Sequence, residues 1–162
     1  MTPNPIRKLL STMRTNGVRC LLIGGQACVL YGGAEFSRDT DLVVSDDPAN
    51  LECLQSAFDE LEAKRIAVPP FEKSHLDLGL AVHFRCQHHD AENMRIDVMT
   101  KLRGVDVFDK LWERRTTFET EGLEIEALSL PDLVASKKTQ RDKDWSSKCI
   151  IRITGSIRPR TV

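Results

Sequence analysis

Asp39 and Asp41, two apart in Asp39-Thr40-Asp41-Leu42-Val43-Val44, are the residues of this chain best placed to do chemistry. On a strand, residues i and i+2 point to the same face, so the two carboxylates project side by side. Carboxylates that close repel each other, and one stays protonated unless a cation lies between them. The fitting cation is a hard divalent ion such as Mg²⁺ (or Mn²⁺), which takes oxygen ligands. Upstream, the apolar run from Val18 to Ile23 ends in Gly24-Gly25, and thirteen residues separate that pair from Asp39. A glycine turn lets backbone N–H groups come close to a phosphate. Together the two features point to a metal-bound nucleoside triphosphate. Taken alone, Asp39 also suits a turn and Asp41 an edge strand.

Elements that would position these groups can be read along the chain. Residues 5–16 read as a helix with Ile6, Leu9, Leu10 and Met13 on one face and Gly17 as its stop. Residues 18–23 form an apolar strand, 26–31 a short helix after the glycine turn, and 39–44 the strand with the carboxylates. Ser45-Asp46-Asp47-Pro48 starts a helix that runs to about residue 62. A strand is expected over 65–68 and a surface loop over 71–80. Residues 81–86 alternate, with Val82 and Phe84 on one face and His83 and Arg85 on the other. A polar turn leads to a strand over 94–99 that carries Asp97. A short helix over 107–113 and a late hairpin around Glu121-Gly122 follow. Ser129-Leu130-Pro131-Asp132 opens a last helix toward Trp145. This order gives an α/β (α+β) domain with a small mixed sheet flanked by helices.

Composition narrows the class. The chain has 162 residues, 41% hydrophobic and 29% charged, which fits one ordinary globular domain. No apolar run approaches the roughly 20 residues of a membrane span, and the N-terminus is a poor signal peptide, so no membrane partner and a cytoplasmic location are expected. Cys20, Cys28, Cys53, Cys86 and Cys149 are odd in number and lack Cys-x-x-Cys spacing, which reads as reduced thiols. From Lys137 onward there are eight of the 23 Lys and Arg residues but only two of the 24 acidic ones. A basic end of this kind either meets phosphates or is simply solvated. His83, Cys86, His88 and His89 read as a polar turn rather than a zinc site, because His83 and Cys86 fall on opposite faces of a strand. Trp112 and Trp145 sit at apolar helix positions and read as core.

The pattern of apolar strand, Gly24-Gly25, short helix, Asp39-Thr40-Asp41 and then Asp97 in Arg95-Ile96-Asp97-Val98-Met99 resembles the DNA polymerase β-like nucleotidyltransferase superfamily. Within it, the chain is similar to the small bacterial branch of minimal nucleotidyltransferases and AbiEii-type toxins. Arg38 before the acidic pair fits that branch. So does Leu128-Ser129-Leu130-Pro131-Asp132-Leu133, followed by Lys137 and by Arg141-Asp142-Lys143-Asp144. Relatives often carry an apolar residue between the two carboxylates where this chain has Thr40. The gap from Gly25 supports Asp39 and Asp41 as the pair. The resemblance spans roughly residues 18–145. It implies a nucleotidyltransferase-like domain over 1–145 and a divergent basic tail over 146–162.

The resemblance also implies the chemistry. A nucleoside monophosphate would move from an NTP to an acceptor hydroxyl on tRNA, a protein or a small molecule. Asp39, Asp41 and Asp97 would be the catalytic, metal-holding residues. Gly24, Gly25, Arg38, Lys137, Arg141 and Lys143 would contact the nucleotide. The alternative is a non-catalytic nucleotide- or partner-binding domain of the same fold, as part of a toxin–antitoxin pair or a homodimer. A third reading is a nucleic-acid-binding module that uses the basic end.

Overall fold

The computed structural model of the chain describes residues 4–33, 38–66 and 71–140. Helix α1 (Pro5–Thr15) starts where its caps require. Asn4 Oδ1 accepts the Arg7 N–H at 3.2 Å, and Pro5 fills the first turn, where no N–H is needed. Leu9, Leu10, Thr12 and Met13 are its buried residues. The chain then reverses into strand β1 (Cys20–Ile23). Helix α2 (Gly24–Leu30) follows at once. The glycine pair is therefore the first turn of this helix, not a turn ahead of it. Strand β2 (Asp39–Val44) has the expected bounds.

Helix α3 (Pro48–Glu60) is capped by Asp47, whose Oδ1 accepts the Ala49 N–H at 2.8 Å. Strand β3 (Lys64–Arg65) overlaps the strand expected over 65–68 only at Arg65; Ile66 is outside it, and 67–68 lie outside the described residues. The expected loop over 71–80 holds a short helix instead, α4 (Lys73–Asp77). Only Leu76 of that helix is buried, so five residues give no readable period. An ion pair between Lys73 and Asp77, one turn apart at 2.9 Å, adds local support.

Strand β4 (Val82–Arg85) leads through a 3₁₀ turn (His89–Ala91) to strand β5 (Arg95–Met99). Helix α5 (Phe108–Glu113) precedes a hairpin of β6 (Thr116–Thr120) and β7 (Leu123–Ala127). Glu121 and Gly122 both have positive φ, +48° and +76°, as a two-residue hairpin of matching twist needs. Helix α6 (Leu130–Gln140) begins after Ser129, whose Oγ donates to Asp132 Oδ2 at 2.7 Å. Arg114 grips both oxygens of that nearly buried Asp132, at 2.6 and 2.8 Å. Its guanidinium and Ser129 hold the Asp132 carboxyl below its ordinary pKa.

The strands form one mixed sheet in the order β3-β4-β5-β2-β1-β7-β6. The β2–β5 and β1–β7 pairs are parallel and the others antiparallel. The fold is α/β with helices flanking a mixed sheet, as expected. One sheet face carries Thr40, Leu42, Val44, Val82, Phe84, Ile96 and Val98, all buried. Phe58 of α3 packs on Phe84 with ring centroids 4.2 Å apart. Asn50, 6% exposed, ties α3 to the sheet. Its amide accepts from Arg19 N (2.7 Å) and donates to Arg19 O (3.1 Å) and Ser45 O (2.9 Å), joining the start of β1 to the end of β2. No helix among the described residues is long and apolar enough to cross a membrane.

Candidate active site

The period of two along β2 sends Thr40 into the core and leaves Asp39 and Asp41 half-buried on the opposite face. The parallel pairing of β2 with β5 sets Asp41 directly against Asp97, and Asp39 against Arg95. The antiparallel pairing of β4 with β5 sets His83 against Asp97. Residues opposite each other on neighbouring strands share a face. One face thus carries Asp39, Asp41, His83, Arg95 and Asp97. The three carboxylates singled out from the sequence come together there.

Gly24 explains why a glycine ends β1. Ile23 pairs with Asp41, so the next residue stands over that carboxylate. A Cβ on Gly24 would lie 2.2 Å from Asp41 Oδ2, and Gly24 has φ +68°. No residue with a side chain fits that gap without moving Asp41. Gly25 is buried in the first turn of α2.

The electrostatics are those of crowded acids. Burial, then the charges of Asp97 and Asp39, then a hydrogen bond with Asp97 push the Asp41 carboxyl up to about 6; Arg95 opposes them. Asp97 is tied from its other side. His83 Nδ1 lies 2.6 Å and Arg95 Nε 3.0 Å from the same oxygen, Oδ1. The donor set at the centre is all carboxylate oxygen, which suits Mg²⁺ or Mn²⁺. The lack of a side chain at Gly24 gives the Asp41 carboxylate its room. Among the described residues, only His88, His89 and Asp90 bring three candidate ligand atoms within 4.8 Å of one another. The aspartates form a more open set, which suits an ion that keeps several of its waters.

The sequence reading gives His83 and Arg95 no role beside Asp97. The i, i+2 rule that pairs Asp39 with Asp41 also pairs Arg95 with Asp97. The alternation of residues 81–86 put His83 off the apolar face, but nothing in the sequence made β4 the neighbour of β5. The four residues weighed as a zinc site do not gather. His83 goes to Asp97, Cys86 is buried with its thiol pushed up to about 11, and His88 Nδ1 accepts the Asp90 N–H at 3.1 Å. Cys20, Cys28, Cys53 and Cys86 form no disulfide.

The other expected nucleotide contacts are more scattered. Arg38 is exposed one residue before β2, and Lys137 is half-buried on α6, which packs on α2. Arg141, Lys143, Trp145 and the basic tail over 146–162 lie outside the described residues. A cavity of about 260 Å³ lies on the other face of the sheet. Its lining includes Cys20 and Leu22, which pair with Val44 and Leu42. Trp112, expected as core, is instead a half-buried wall of that cavity, flanked by the Arg115 and Arg19 guanidinium groups at 4.1 and 5.0 Å. The acidic groups there are already paired, Glu124 with Arg14 and Glu126 with Arg115.

Two solved structures share this architecture. One is the lincosamide antibiotic adenylyltransferase LnuA bound to lincomycin, with TM-score 0.63 and 12% identity over 95% of this chain and 96% of that one. The other is ANT(2″)-Ia in complex with adenylyl-2″-tobramycin, with TM-score 0.57 and 13% identity over 92% of this chain and 83% of that one. The fold is that of the nucleotidyltransferases. The chain belongs to the family described as nucleotidyl transferase of unknown function (DUF2204), whose sequence model matches residues 2–158. Nucleotidyl transfer is the general reaction class of that family. No curated protein matches the sequence significantly.

Two outcomes follow from this geometry. Gly24→Ala should cost more stability than Gly17→Ala in urea unfolding. Both sites have φ near +68°, which costs an alanine about 1–2 kcal/mol, but only Gly24 also meets a side chain, whereas nothing lies within 4 Å of a Cβ at Gly17. Equal costs would contradict the close approach to Asp41. The second outcome concerns pH. An acid raised from 3.8 to about 6 binds more protons folded than unfolded between those values, so its contribution to stability falls as pH rises through that window. Asp41→Asn, which mimics the protonated acid, should raise the Tm of the metal-free protein above pH 6 and flatten its decline from pH 4 to 6.

Proposed function

We propose that the face bearing Asp39, Asp41 and Asp97 binds the Mg²⁺ (or Mn²⁺) complex of a nucleoside triphosphate and transfers its nucleoside monophosphate to an acceptor hydroxyl. The observation that carries this reading is the fit of Asp41 into the space left by Gly24. It places a glycine-opened stretch of backbone directly beside a pair of carboxylates on adjoining strands.

The divalent ion, when bound, supplies neutralisation of charge on the phosphoryl oxygens and on departing pyrophosphate. Asp39 and Asp41 hold it, and Asp97 completes the oxygen set. Gly24 and Gly25 let the phosphates approach the backbone. Arg38 and Lys137, with Arg141 and Lys143 farther along the chain, counter the triphosphate charge. The acceptor oxygen attacks the α-phosphorus, a new P–O bond forms, and the bond to the β-phosphate oxygen breaks to release pyrophosphate. Asp97 takes the proton of the acceptor hydroxyl. Catalysis on this scheme is positioning plus electrostatic stabilisation. The two solved neighbours bear lincomycin and adenylyl-tobramycin, which supports a small hydroxylated molecule as the acceptor class.

The test is label transfer from each of four α-³²P-labelled NTPs to pooled tRNA, protein and a panel of aminoglycosides and lincosamides, with Mg²⁺. Label should reach an acceptor with the wild type and fall at least about 100-fold with Asp39→Ala or Asp97→Ala, the loss typical of removing one strong transition-state contact. Transfer that survives either substitution at the wild-type rate contradicts the assignment.

A further inference from the structure

We infer that His83 is a positioning residue for Asp97, and that with Arg95 it leaves that carboxylate a single oxygen for a cation. The inference rests on the metal-binding reading above and names a residue that reading does not use.

His83 and Asp97 face each other across β4 and β5, so their approach is built into the register. The 2.6 Å contact of His83 Nδ1 with Asp97 Oδ1 is closer than the 3.2 Å approach of Arg95 NH2 to the same nitrogen, so we assign the Nδ1 proton to the bond with Asp97. Arg95 Nε donates to the same oxygen at 3.0 Å. A carboxylate oxygen offers two lone-pair sites, and these two donors use both on Oδ1. Oδ2 is left for the hydrogen bond with Asp41 or, in its place, for a metal, and the carboxylate plane is locked. Arg95 NH2 lies 3.2 Å from His83 Nδ1, so all three side chains form one compact cluster. His83 and Asp97 side chains are 25% and 15% exposed, which limits their freedom to rearrange. Partners that orient a metal ligand in this way typically matter 10–100-fold in metal affinity.

The experiment is Mn²⁺ titration of the full chain, read by the electron paramagnetic resonance of free Mn²⁺. Wild type, His83→Leu and His83→Asn are compared, with circular dichroism and Tm as folding controls. His83→Leu should weaken Mn²⁺ binding roughly 10–100-fold. His83→Asn, whose amide N–H can reach the same oxygen, should stay within about 3-fold of wild type. Nitrogen NMR of wild-type His83 should show a proton on Nδ1, a readout that needs no variant. Wild-type affinity in His83→Leu, an Asn variant as weak as a folded Leu variant, or a bare Nδ1 overturns the inference. A wild type that binds no Mn²⁺ removes the metal-binding reading itself; Mn²⁺ binding indifferent to His83 removes only this one.

Discussion

The contact between a missing side chain and a carboxylate organises this molecule. Gly24 stands over Asp41, with the position its Cβ would take 2.2 Å from Oδ2. That approach is possible because β1 ends at Ile23, opposite Asp41, and α2 begins at the next residue. The rest of the site is a consequence of register. β2 beside β5 brings Asp97 to Asp41, and β4 beside β5 brings His83 to Asp97. On the far side, the buried stripe under α3 holds the strands in that register, because a slip of one residue would send Asp41 into the core and Leu42 onto the site face.

The same contact makes the site electrostatically costly. Three carboxylates share one face with Arg95 as their close counter-charge, and Asp41 responds with a raised pKa. A core built for stability alone would not keep such a cluster. Buried acids of this kind are found where a cation or substrate compensates them, as expected for functional sites. The paired charges elsewhere make the contrast clear. Asp132 is matched by both arms of Arg114, and Glu126 by Arg115. Those groups settle the structure, whereas Asp41 stands between two other carboxylates and has its pKa raised.

Much of this was legible in the sequence, for specific reasons. The bounds of β2, the start of α3 and the Glu121-Gly122 turn follow from local chemistry: alternation, Asp and Pro at a helix start, and residues that tolerate positive φ. Asp39 and Asp41 could be paired because i, i+2 spacing is a sequence property, and Asp97 joined them through the family resemblance. Helix α4 was not legible, since its five residues bury one leucine. The glycine pair was read as a turn because propensity argues against glycine inside a helix; the need to clear Asp41 overrides that. The roles of His83 and Arg95 were not legible because they depend on which strands adjoin, and adjacency of β4, β5 and β2 is a long-range fact.

The central claim is that the aspartate face is a metal–nucleotide site, and calorimetry tests it without knowledge of the acceptor. ATP, GTP, CTP and UTP would each be titrated into the wild type and into Asp39→Ala/Asp41→Ala, with Mg²⁺ and without. Binding of at least one nucleotide that requires Mg²⁺ and disappears in the double variant is the expected result. Binding that ignores Mg²⁺, or that persists in the double variant, would place the nucleotide elsewhere and contradict the claim.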